Sequence, residues 1–359
     1  MRLFERPITA VKFLASHLRD PQSKTYYPEE ERKSRMGICL DNFRWMFRHF
    51  EINHFYYLYG FDRKRGVNQD DYLPKRVFDK LLTRANSPAF VGGRRASYVY
   101  LLQDKFVFGK YLEALGFPTP KIIALCDRES VTWLDTQRTM PLESILEREG
   151  LDAFIKELLG MCAEGVYPVR VGNGKLYLNE EQITIESLKR MLKNKCIVQE
   201  RVGQHSKLKQ LYPDSVNTIR LATAINDGEV VPLSAVIRTG VNGQRCDNWT
   251  AGGIAIGIDL ATGRLHKYGI FKPGYGGKAE RHPDTGFKFE DFEIPYFDTT
   301  IRMAASLHRF FYGVHSIAWD IAVTESGPMV IEGNNRWGMA TLQTCNSGFK
   351  KKFLRTHRF

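Results

Sequence analysis

The sequence contains no apolar run that approaches the roughly 20 residues needed to span a bilayer. Its opening stretch, MRLFERPITAVKFLASHLRD, scatters charges among apolar positions and lacks the uninterrupted apolar core of a secretory signal. We therefore expect a cytoplasmic protein. Low-complexity tracts and internal repeats are also missing, so the 359 residues are expected to fold into two or three packed units.

Closely spaced cysteines are missing as well. The chain has six cysteines, and no two of them form a CxxC pair. Such scattered residues predict reduced thiols in the core rather than a disulfide framework or a zinc site. None of the six cysteines is a strong candidate for a nucleophile.

Acidic residues are outnumbered by basic ones, 40 against 52, which gives a formal net charge of +12. A surface of this charge attracts anions such as nucleotide phosphates, nucleic acid, anionic lipid or an acidic saccharide. The basic clusters lie at KSRMG, DRKRG, GGRR and the tail KKFLRTHRF, without a known nucleic-acid-binding module. Each cluster is equally compatible with an ordinary solvated surface, so charge alone does not choose the partner.

Apolar periodicity predicts helices in the first half of the chain. Apolar residues in ICLDNFRWMFRHFEINHFYYLYG recur at spacings of three and four, which indicates a helical N-terminal region. The stretch KFVFGKYLEAL predicts a helix from Lys105 to Leu115 that ends at Gly116, and KIIALC predicts a buried strand after it. The pattern between Ser144 and Met161 again predicts a helix.

Strand patterns dominate the rest. VYPVRVGNGKLYLN predicts a hairpin that turns at residues 172–174, and several β-rich segments after Cys196 predict an antiparallel sheet. A helix in TTIRMAASLHRFFYG precedes a final hairpin of SIAWDIAVT and PMVIEGN, linked by residues 325–327. The glycine-rich stretch 272–286, which carries His282, predicts a loop that either closes over substrate or lies on the surface.

The final hairpin places two acids together. If residues 325–327 close it, Asp320 lies opposite Glu332, with Cβ atoms about 5 Å apart. Carboxylates so close repel each other unless a positive charge lies between them, and a divalent cation is the economical answer. Asn334 adds an amide oxygen on the same face, and oxygen donors of this kind suit Mg²⁺. The alternative is a pair of surface acids in a hairpin whose register is shifted by one.

Several motifs together resemble the sugar-transfer-associated ATP-grasp proteins, sometimes labelled hexapeptide-transferase-like. They are NTIRLATAI, AVIRTG, CDNWTAGGIAIGID and WDIAVTESGPMVIEGN, and the likeness extends over about residues 100–345. It implies an α+β ATP-grasp fold of two α+β subdomains that clamp ATP, preceded by a mainly helical N-terminal region. The implied parts are the helical region 1–100, the small subdomain 101–195 and the large subdomain 196–359 with the metal hairpin.

The resemblance also implies site residues. The implied nucleotide-binding residues are Lys105, Lys175, Gln199, Glu200, Val202, Asn248, Gly252 and Gly253. The implied catalytic residues are Arg220, Arg238 and Arg336, and the implied Mg²⁺ ligands are Asp320, Glu332 and Asn334. Lys105, in an Asp-Lys pair, would contact the phosphates, and the segment IVQERV would contact the adenine.

The sequence departs from the family pattern at two positions. Tyr167-Pro168 stands where a second phosphate-binding lysine usually precedes a proline, and Lys175 is a candidate substitute whose alternative is a surface lysine. Ala318 stands where peptide-ligase relatives often carry an arginine. Arg336 is the candidate for a contact with a substrate carboxylate or acyl phosphate.

The implied function is a ligase that depends on ATP and Mg²⁺. It would activate a carboxylate as an acyl phosphate for attack by an amine or similar nucleophile. The substrate would be an anionic small molecule or saccharide in cell-surface polysaccharide or sugar-conjugate synthesis. An ATP-grasp kinase that phosphorylates a hydroxyl is one alternative. A non-catalytic binder of anionic glycan, lipid or nucleic acid is another, and the basic surface also allows peripheral contact with a membrane.

Overall fold

The computed structural model describes residues 24–357, except residues 88, 92–93, 161–164 and 291. Cys162 and the opening stretch on which the expected cytoplasmic location rests lie outside these residues. Among the helices of the described part, none combines the length and the apolar character that a membrane crossing requires.

The N-terminal region is mainly helical, as predicted. Its elements are the helices α1 (Arg35–His49) and α2 (Lys75–Ala85), the 3-10 helices Gln69–Asp71 and Tyr98–Leu102, and the strands β1 (Ala89–Val91) and β2 (Arg94–Ala96). Helix α1 begins where the Ser34 hydroxyl accepts a hydrogen bond from the Gly37 amide. After α1 ends, the chain continues to α2 through a series of turns.

Helix α3 (Lys105–Ala114) leads into the eight-stranded sheet, as the sequence predicts. The Asp104 carboxylate caps the helix by accepting the amides of Phe106 and Val107. Gly116 follows the helix with a φ of 74°, a left-handed conformation that favours glycine at a helix end. The predicted helix and the strand after it are therefore confirmed.

This sheet has eight antiparallel strands in the order β5-β4-β3-β10-β6-β7-β8-β9. Its elements are β3 (Ile122–Cys126), β4 (Ser130–Trp133), β5 (Arg138–Pro141), the 3-10 helix Leu142–Glu147, β6 (Asp152–Glu157), β7 (Val166–Gly172), β8 (Lys175–Leu178), β9 (Glu181–Ile183), α4 (Ile185–Met191) and β10 (Cys196–Glu200). One face packs into its own core, which includes Trp133, Ile155, Val169 and Leu188.

The helix predicted between Ser144 and Met161 is wrong. The described part of that range contains the end of a 3-10 helix and strand β6, which pairs with β10 on one side and β7 on the other. Leu151, Phe154, Ile155 and Leu158 do recur at helical spacing, but only the alternate residues of β6 enter the sheet's core. A local apolar pattern of this length fits both the helical period of 3.6 residues and the strand period of two. Pairing with β7 and β10 decides that the segment is a strand.

The second sheet has seven antiparallel strands in the order β15-β14-β13-β12-β11-β16-β17. Its elements, with the helices around it, are α5 (Ser206–Leu211), β11 (Thr218–Asn226), β12 (Glu229–Thr239), the 3-10 helix Trp249–Ala251, β13 (Ile254–Ile258), β14 (Leu265–Phe271), β15 (Lys278–Ala279), α6 (Phe297–His308), β16 (Ser316–Thr324), β17 (Gly327–Asn334), α7 (Ala340–Cys345) and α8 (Lys350–Thr356). The expected antiparallel sheet is confirmed.

The seven-stranded sheet is the middle layer of the molecule. One face, with Trp319 at its centre, packs against α6 and α3. The other face is lined by small residues such as Ala222 and Ala318, and it packs against the N-terminal region together with α7 and α8. Buried Gln343 on α7 joins these layers by accepting the Leu73 amide at 2.6 Å and donating to the Leu73 carbonyl at 3.2 Å. Farther along β11 and β16, the same face carries polar residues instead of small apolar ones.

The glycine-rich stretch 272–286 is anchored to the seven-stranded sheet. It contributes the short edge strand β15, and the His282 side chain is buried. The His282 Nε2 lies 3.0 Å from the Thr239 hydroxyl and 2.9 Å from the Gly240 carbonyl, and its ring stacks on Tyr212. The His282 side chain thus packs its loop against the end of β12.

The cysteines agree with the sequence expectation in part. Cys126, Cys196 and Cys345 are buried, and Cys126 lies directly opposite Cys196 on the neighbouring strands β3 and β10. Cys246 is exposed, so the expectation of a core thiol is wrong for this residue. Its loop follows β12 and carries polar residues of the candidate site.

Candidate active site

The final hairpin places Asp320 opposite Glu332, as predicted, but its turn and its strand register differ from the prediction. The predicted three-residue connection is wrong, because Thr324 pairs with Gly327 and only two residues link the strands. A β-bulge between Asp320 and Ile321 inserts one extra residue, Ile331, in β17. The shorter turn and the bulge compensate each other, so the two acids are opposed after all.

Gly333 fixes how β17 lies against the core. A Cβ atom at this position would be 2.7 Å from the Leu102 side chain and 3.0 Å from the Trp319 ring. Because only glycine allows this approach, β17 packs closely over the apolar face. Glu332 and Asn334, on either side of Gly333, therefore project together to the opposite face.

Two arginines neutralise Asp320. Arg220 on β11 donates from Nε to Oδ1 at 2.8 Å and from Nη2 to Oδ2 at 2.6 Å. The Arg238 Nη2 on β12 lies 3.1 Å from the same Oδ2. The positive charge that the sequence argument assigned to a metal between the acids is thus supplied to Asp320 by guanidinium groups. Arg220 and Arg238 thus form ion pairs within the sheet.

Asp247 and Thr218 extend this network. The Arg238 Nη2 donates to the Thr218 hydroxyl oxygen at 2.7 Å, and that hydroxyl donates to Asp247. The Thr218 amide also donates to the Asp247 carboxylate at 3.0 Å. Arg238 and Asp320 are both at least nine-tenths buried, so this polar cluster is an interior feature of the sheet.

Burial and ion pairing act in opposite directions on the ionisable groups. Burial raises the pKa of Asp320, but Arg220 and Arg238 outweigh it and hold that pKa below its ordinary value. Burial also raises the pKa of Asp247, and there the charge of Arg238 only partly offsets it. The pKa of Arg238 is raised, because Asp320, Asp247 and Glu332 together overcome its desolvation.

Two partly buried lysines donate to oxygens elsewhere in the chain. Lys105, at the start of α3, donates from Nζ to the Gly160 carbonyl at 2.6 Å. Lys156, on β6, donates from Nζ to the Gln199 Oε1 at 2.8 Å. Burial lowers the pKa of both lysines, that of Lys156 to about 8, while the charge of Glu332 opposes the shift.

Lys156 is the site residue that the sequence reasoning missed. As part of a helix it would have been a surface lysine, whereas on β6 it lies on the face turned away from that sheet's own core. The signal was the alternation of Ala153, Ile155 and Glu157 with Phe154 and Lys156, which is a strand period. Tyr167 stands at the position where the family usually has its second phosphate-binding lysine. Its hydroxyl donates to the Met191 carbonyl at 3.0 Å.

The predicted adenine segment links the two sheets. The Gln199 amide donates to the Pro120 carbonyl at 3.1 Å while its oxygen accepts from Lys156. The Glu200 carboxylate accepts the Lys121 amide at 2.9 Å. Val202 lies in the stretch between β10 and α5, where the chain passes from one sheet to the other. Contact of these residues with adenine stays a prediction.

Asn248, Gly252 and Gly253 form a tight turn before β13. The Asn248 side chain caps a 3-10 helix by accepting the Thr250 amide at 2.9 Å. A Cβ atom at Gly252 would lie 2.7 Å from the Tyr275 ring, and one at Gly253 would lie 2.6 Å from the Thr239 carbonyl. Packing within the protein therefore already requires these glycines, and contact with a nucleotide stays a prediction.

Lys175 and Arg336 are exposed and are not linked to this cluster by a hydrogen bond or ion pair among the described residues. Lys175 lies at the turn between β7 and β8, where the Glu149 carboxylate accepts the amides of Asn173 at 2.7 Å and Gly174 at 3.2 Å. Arg336 follows the end of β17. Their predicted roles stay predictions.

The donor set on β16 and β17 fits Mg²⁺. No group of three or more His, Cys, Asp or Glu side chains suited to a metal occurs in the described part of the chain. Mg²⁺, however, typically uses one or two carboxylates and takes its remaining ligands from water and phosphate. Glu332 forms no ion pair with another described residue, so its carboxylate is available, and Asn334 adds an amide oxygen beside it.

Comparison with known families identifies the group to which these residues belong. Residues 94–356 match the family described as sugar-transfer associated ATP-grasp. The chain belongs to this family. Membership in this family confirms the expected α+β fold, which the two antiparallel sheets also display. The matched residues include both sheets and all of the charged cluster.

This ATP-grasp chain also matches solved structures at low identity. Carboxyaminoimidazole ribonucleotide synthase from Aspergillus clavatus, complexed with ATP, is 12% identical, with a TM-score of 0.40, over 67% of this chain and 46% of that one. D-alanine–D-alanine ligase from Bacillus anthracis is 14% identical, with a TM-score of 0.39, over 72% and 67%. L-amino acid ligase from Bacillus licheniformis is 11% identical, with a TM-score of 0.39, over 72% and 46%.

The chain thus spans about half the length of the first of these structures. A comparison with curated proteins found no match.

The ion pairs of Asp320 lead to a stability prediction. Asp320→Asn leaves the Arg220 guanidinium without its anion and Arg238 with only the longer pair to Asp247 at 3.6 Å, so we expect the free energy of unfolding to fall by about 3 kcal/mol. Urea unfolding at neutral pH measures this change. Asp135→Asn is the matched control, because Asp135 pairs with Arg148 through two contacts at 2.8 and 3.0 Å on the surface and should change stability little. Equal losses in the two variants would contradict the assignment.

Proposed function

We propose that this chain is an ATP-grasp ligase that uses Mg²⁺ and activates a carboxylate as an acyl phosphate for attack by an amine or similar nucleophile. One observation carries the proposal. Arg220 and Arg238 contact Asp320, which lies directly opposite Glu332 on the neighbouring strand, so cationic groups stand beside a pair of carboxylates. This group joins cations that suit phosphate with oxygen donors that suit a metal.

Lys105 and Lys156 are proposed to bind the phosphates of ATP. Each ammonium is partly desolvated and has only one hydrogen-bond acceptor among the described residues, so further donors remain for phosphate oxygens. Lys156 takes the part of the second phosphate lysine that the sequence argument sought at Tyr167-Pro168. Lys175 then keeps no necessary role in the phosphate site.

Asp320, Glu332 and Asn334 are proposed to hold Mg²⁺. Asp320 keeps its contacts to Arg220 and Arg238, and its oxygens have further lone pairs for a cation. When bound, the metal neutralises charge on the phosphate oxygens. The arginines hold the Asp320 carboxylate in a fixed orientation, so this edge of the site needs little rearrangement when nucleotide enters.

The proposed reaction has two steps. An oxygen of the substrate carboxylate forms a bond to the γ-phosphorus while the bond from that phosphorus to the β–γ bridging oxygen breaks, and ADP leaves with the electron pair. The amine then bonds to the acyl carbon, phosphate leaves, and the amine loses a proton. Arg220 and Arg238 lie beside the metal ligands, where they meet charge that develops on the transferred group. Arg336 remains the candidate for the substrate carboxylate.

The substrate is proposed to be an anionic saccharide or amino-acid-like molecule in cell-surface polysaccharide or sugar-conjugate synthesis, handled in the cytoplasm. The family's association with sugar transfer supports the saccharide. The net charge of +12 supports the anion.

A kinase is the second candidate, because the same phosphate site serves transfer to a hydroxyl. A screen of acidic sugars and amino acids with ATP and Mg²⁺ separates the two activities. The ligase is expected to release one inorganic phosphate for each condensed product detected by mass spectrometry. Phosphate retained on the product would establish the kinase instead. Indifference to ATP would favour a non-catalytic binder.

Glu332→Gln tests the proposed metal site. Removing this carboxylate charge should weaken binding of ATP with Mg²⁺ at least about tenfold and should leave binding of ATP without Mg²⁺ unchanged or tighter. Isothermal titration calorimetry in both conditions measures the difference. Glu181→Gln, which changes an exposed glutamate on β9, is the matched control. If Glu332→Gln binds ATP with Mg²⁺ like the unmodified protein, the metal assignment fails.

Lys156 gives a pH-dependent prediction. With a pKa of about 8, this lysine is about half neutral at pH 8, and bound phosphate raises its pKa. ATP binding at pH 8 should therefore take up about half a proton at this residue, whereas at pH 6 the lysine is already charged. Calorimetry at saturating ATP in buffers of different ionisation enthalpy measures the uptake.

Lys156→Met should lose this uptake, and Lys175→Met should retain it. The same proton uptake in the Lys156→Met variant and the unmodified protein would exclude Lys156 from the phosphate site.

A further inference from the structure

Helix α1 carries a row of exposed apolar side chains. The row, here called the α1 stripe, consists of Met36, Leu40, Phe43, Phe47 and Phe50, whose exposed fractions are 67%, 48%, 39%, 71% and 77%. Spacings of four, three and four residues place Met36, Leu40, Phe43 and Phe47 on one side of the helix, and Phe50 follows at its end. The rings of Phe43 and Phe47 stack with centroids 6.4 Å apart, so the stripe is continuous.

The α1 stripe is not the face that holds the helix to the protein. The buried residues of α1 are Ile38, Asn42 and Trp45, which lie on the opposite side. Trp45 packs on Phe61 with ring centroids 5.8 Å apart, in a separate aromatic cluster of the N-terminal region. A surface helix needs one apolar face for its own packing, and α1 has two.

Phe50 continues the stripe beyond the end of the helix. It has φ 54° and ψ 38°, a left-handed conformation that a bulky residue rarely adopts, and it is the most exposed residue of the stripe. Its amide bonds to the Met46 carbonyl and closes the last turn. The backbone thus accepts an unfavourable conformation at a position where glycine would be the usual residue.

The flanks of the stripe are basic. Arg35, Arg44 and Arg48 lie on α1 beside it and are exposed. The single acid of α1, Asp41, is turned toward the protein, where it accepts hydrogen bonds from Lys33 at 2.6 Å and the Tyr56 hydroxyl at 3.0 Å. Arg48 pairs with Asp70 at 2.7 Å, but both side chains are more than half exposed.

We propose that the α1 stripe inserts into the interface of an anionic lipid membrane. Phenylalanine, leucine and methionine along one face, with arginine at its edges, are the features of a helix that lies in the headgroup region and contacts anionic lipid. These side chains have no polar tip, so they suit acyl chains better than a glycan. The proposal does not depend on the ligase activity.

Charge distinguishes an anionic membrane from two other occupants of the α1 stripe, a second copy of the chain and residues 1–23. A second copy would bring the same basic flanks together, and α1 offers no outward-facing acid to pair with them. Residues 1–23 contain four Lys or Arg and two Asp or Glu, so they are also net basic. An anionic membrane is the occupant that complements both the apolar row and its edges.

Sedimentation with lipid vesicles tests the proposal on the full chain. One vesicle type is phosphatidylcholine alone, and in the other part of it is replaced by phosphatidylglycerol. The unmodified protein should sediment with the anionic vesicles, less at high salt, and hardly with the neutral ones. Phe47→Gln combined with Phe50→Gln should weaken this binding about tenfold or more, because two exposed rings no longer enter the interface.

Tyr100→Gln is the control, since Tyr100 is 65% exposed but lies outside α1. It should bind vesicles like the unmodified protein, and circular dichroism should show the same fold in all variants. The proposal is overturned if the full chain ignores anionic vesicles or if the double variant binds them undiminished. It is also overturned if sedimentation without lipid shows a dimer that the double variant loses, because the stripe would then contact a second copy.

Discussion

The polar site depends on one buried ion pair, the two-point contact between Arg220 and Asp320. Asp320 lies on β16 between Arg220 on β11 and Glu332 on β17, and Arg238 reaches it from β12. A charge buried this deeply requires partners of opposite sign. The contacts of Asp320 therefore fix the position of the site together with the pairing of β11, β12, β16 and β17. The bulge at Asp320 and the close packing of Gly333 keep that register.

Much of this arrangement is readable in the sequence, because it is local. The alternation in WDIAVT and VIEGN predicts the hairpin, and Asp320 and Glu332 are opposed as expected only because the shorter turn and the bulge compensate each other. Helix α3 is equally local, since Asp104 begins it and Gly116 follows its end. The four motifs that together resemble the family all lie in the seven-stranded sheet and its loops, and no single one of them would be enough.

The residues that sequence reasoning misplaced are those whose environment comes from distant segments. Lys156 looks like a helical surface lysine until β7 and β10 pair with its strand. The partners of Asp320 come from strands about 80 to 100 residues earlier in the chain, and short-range spacing cannot choose between a metal and an arginine there. His282 is buried because its loop folds back onto the end of β12, which glycine content does not reveal.

Gln343 has a consequence for the synthesis of the chain. Its side chain satisfies both backbone groups of Leu73, a residue 270 positions earlier, and the same apolar layer joins the N-terminal region to α7 and α8. The N-terminal region is synthesised before α7 and α8, so its part of the layer lacks these packing partners until both helices have emerged. Apolar residues such as Leu73 and Phe78 are therefore open to other contacts during that interval.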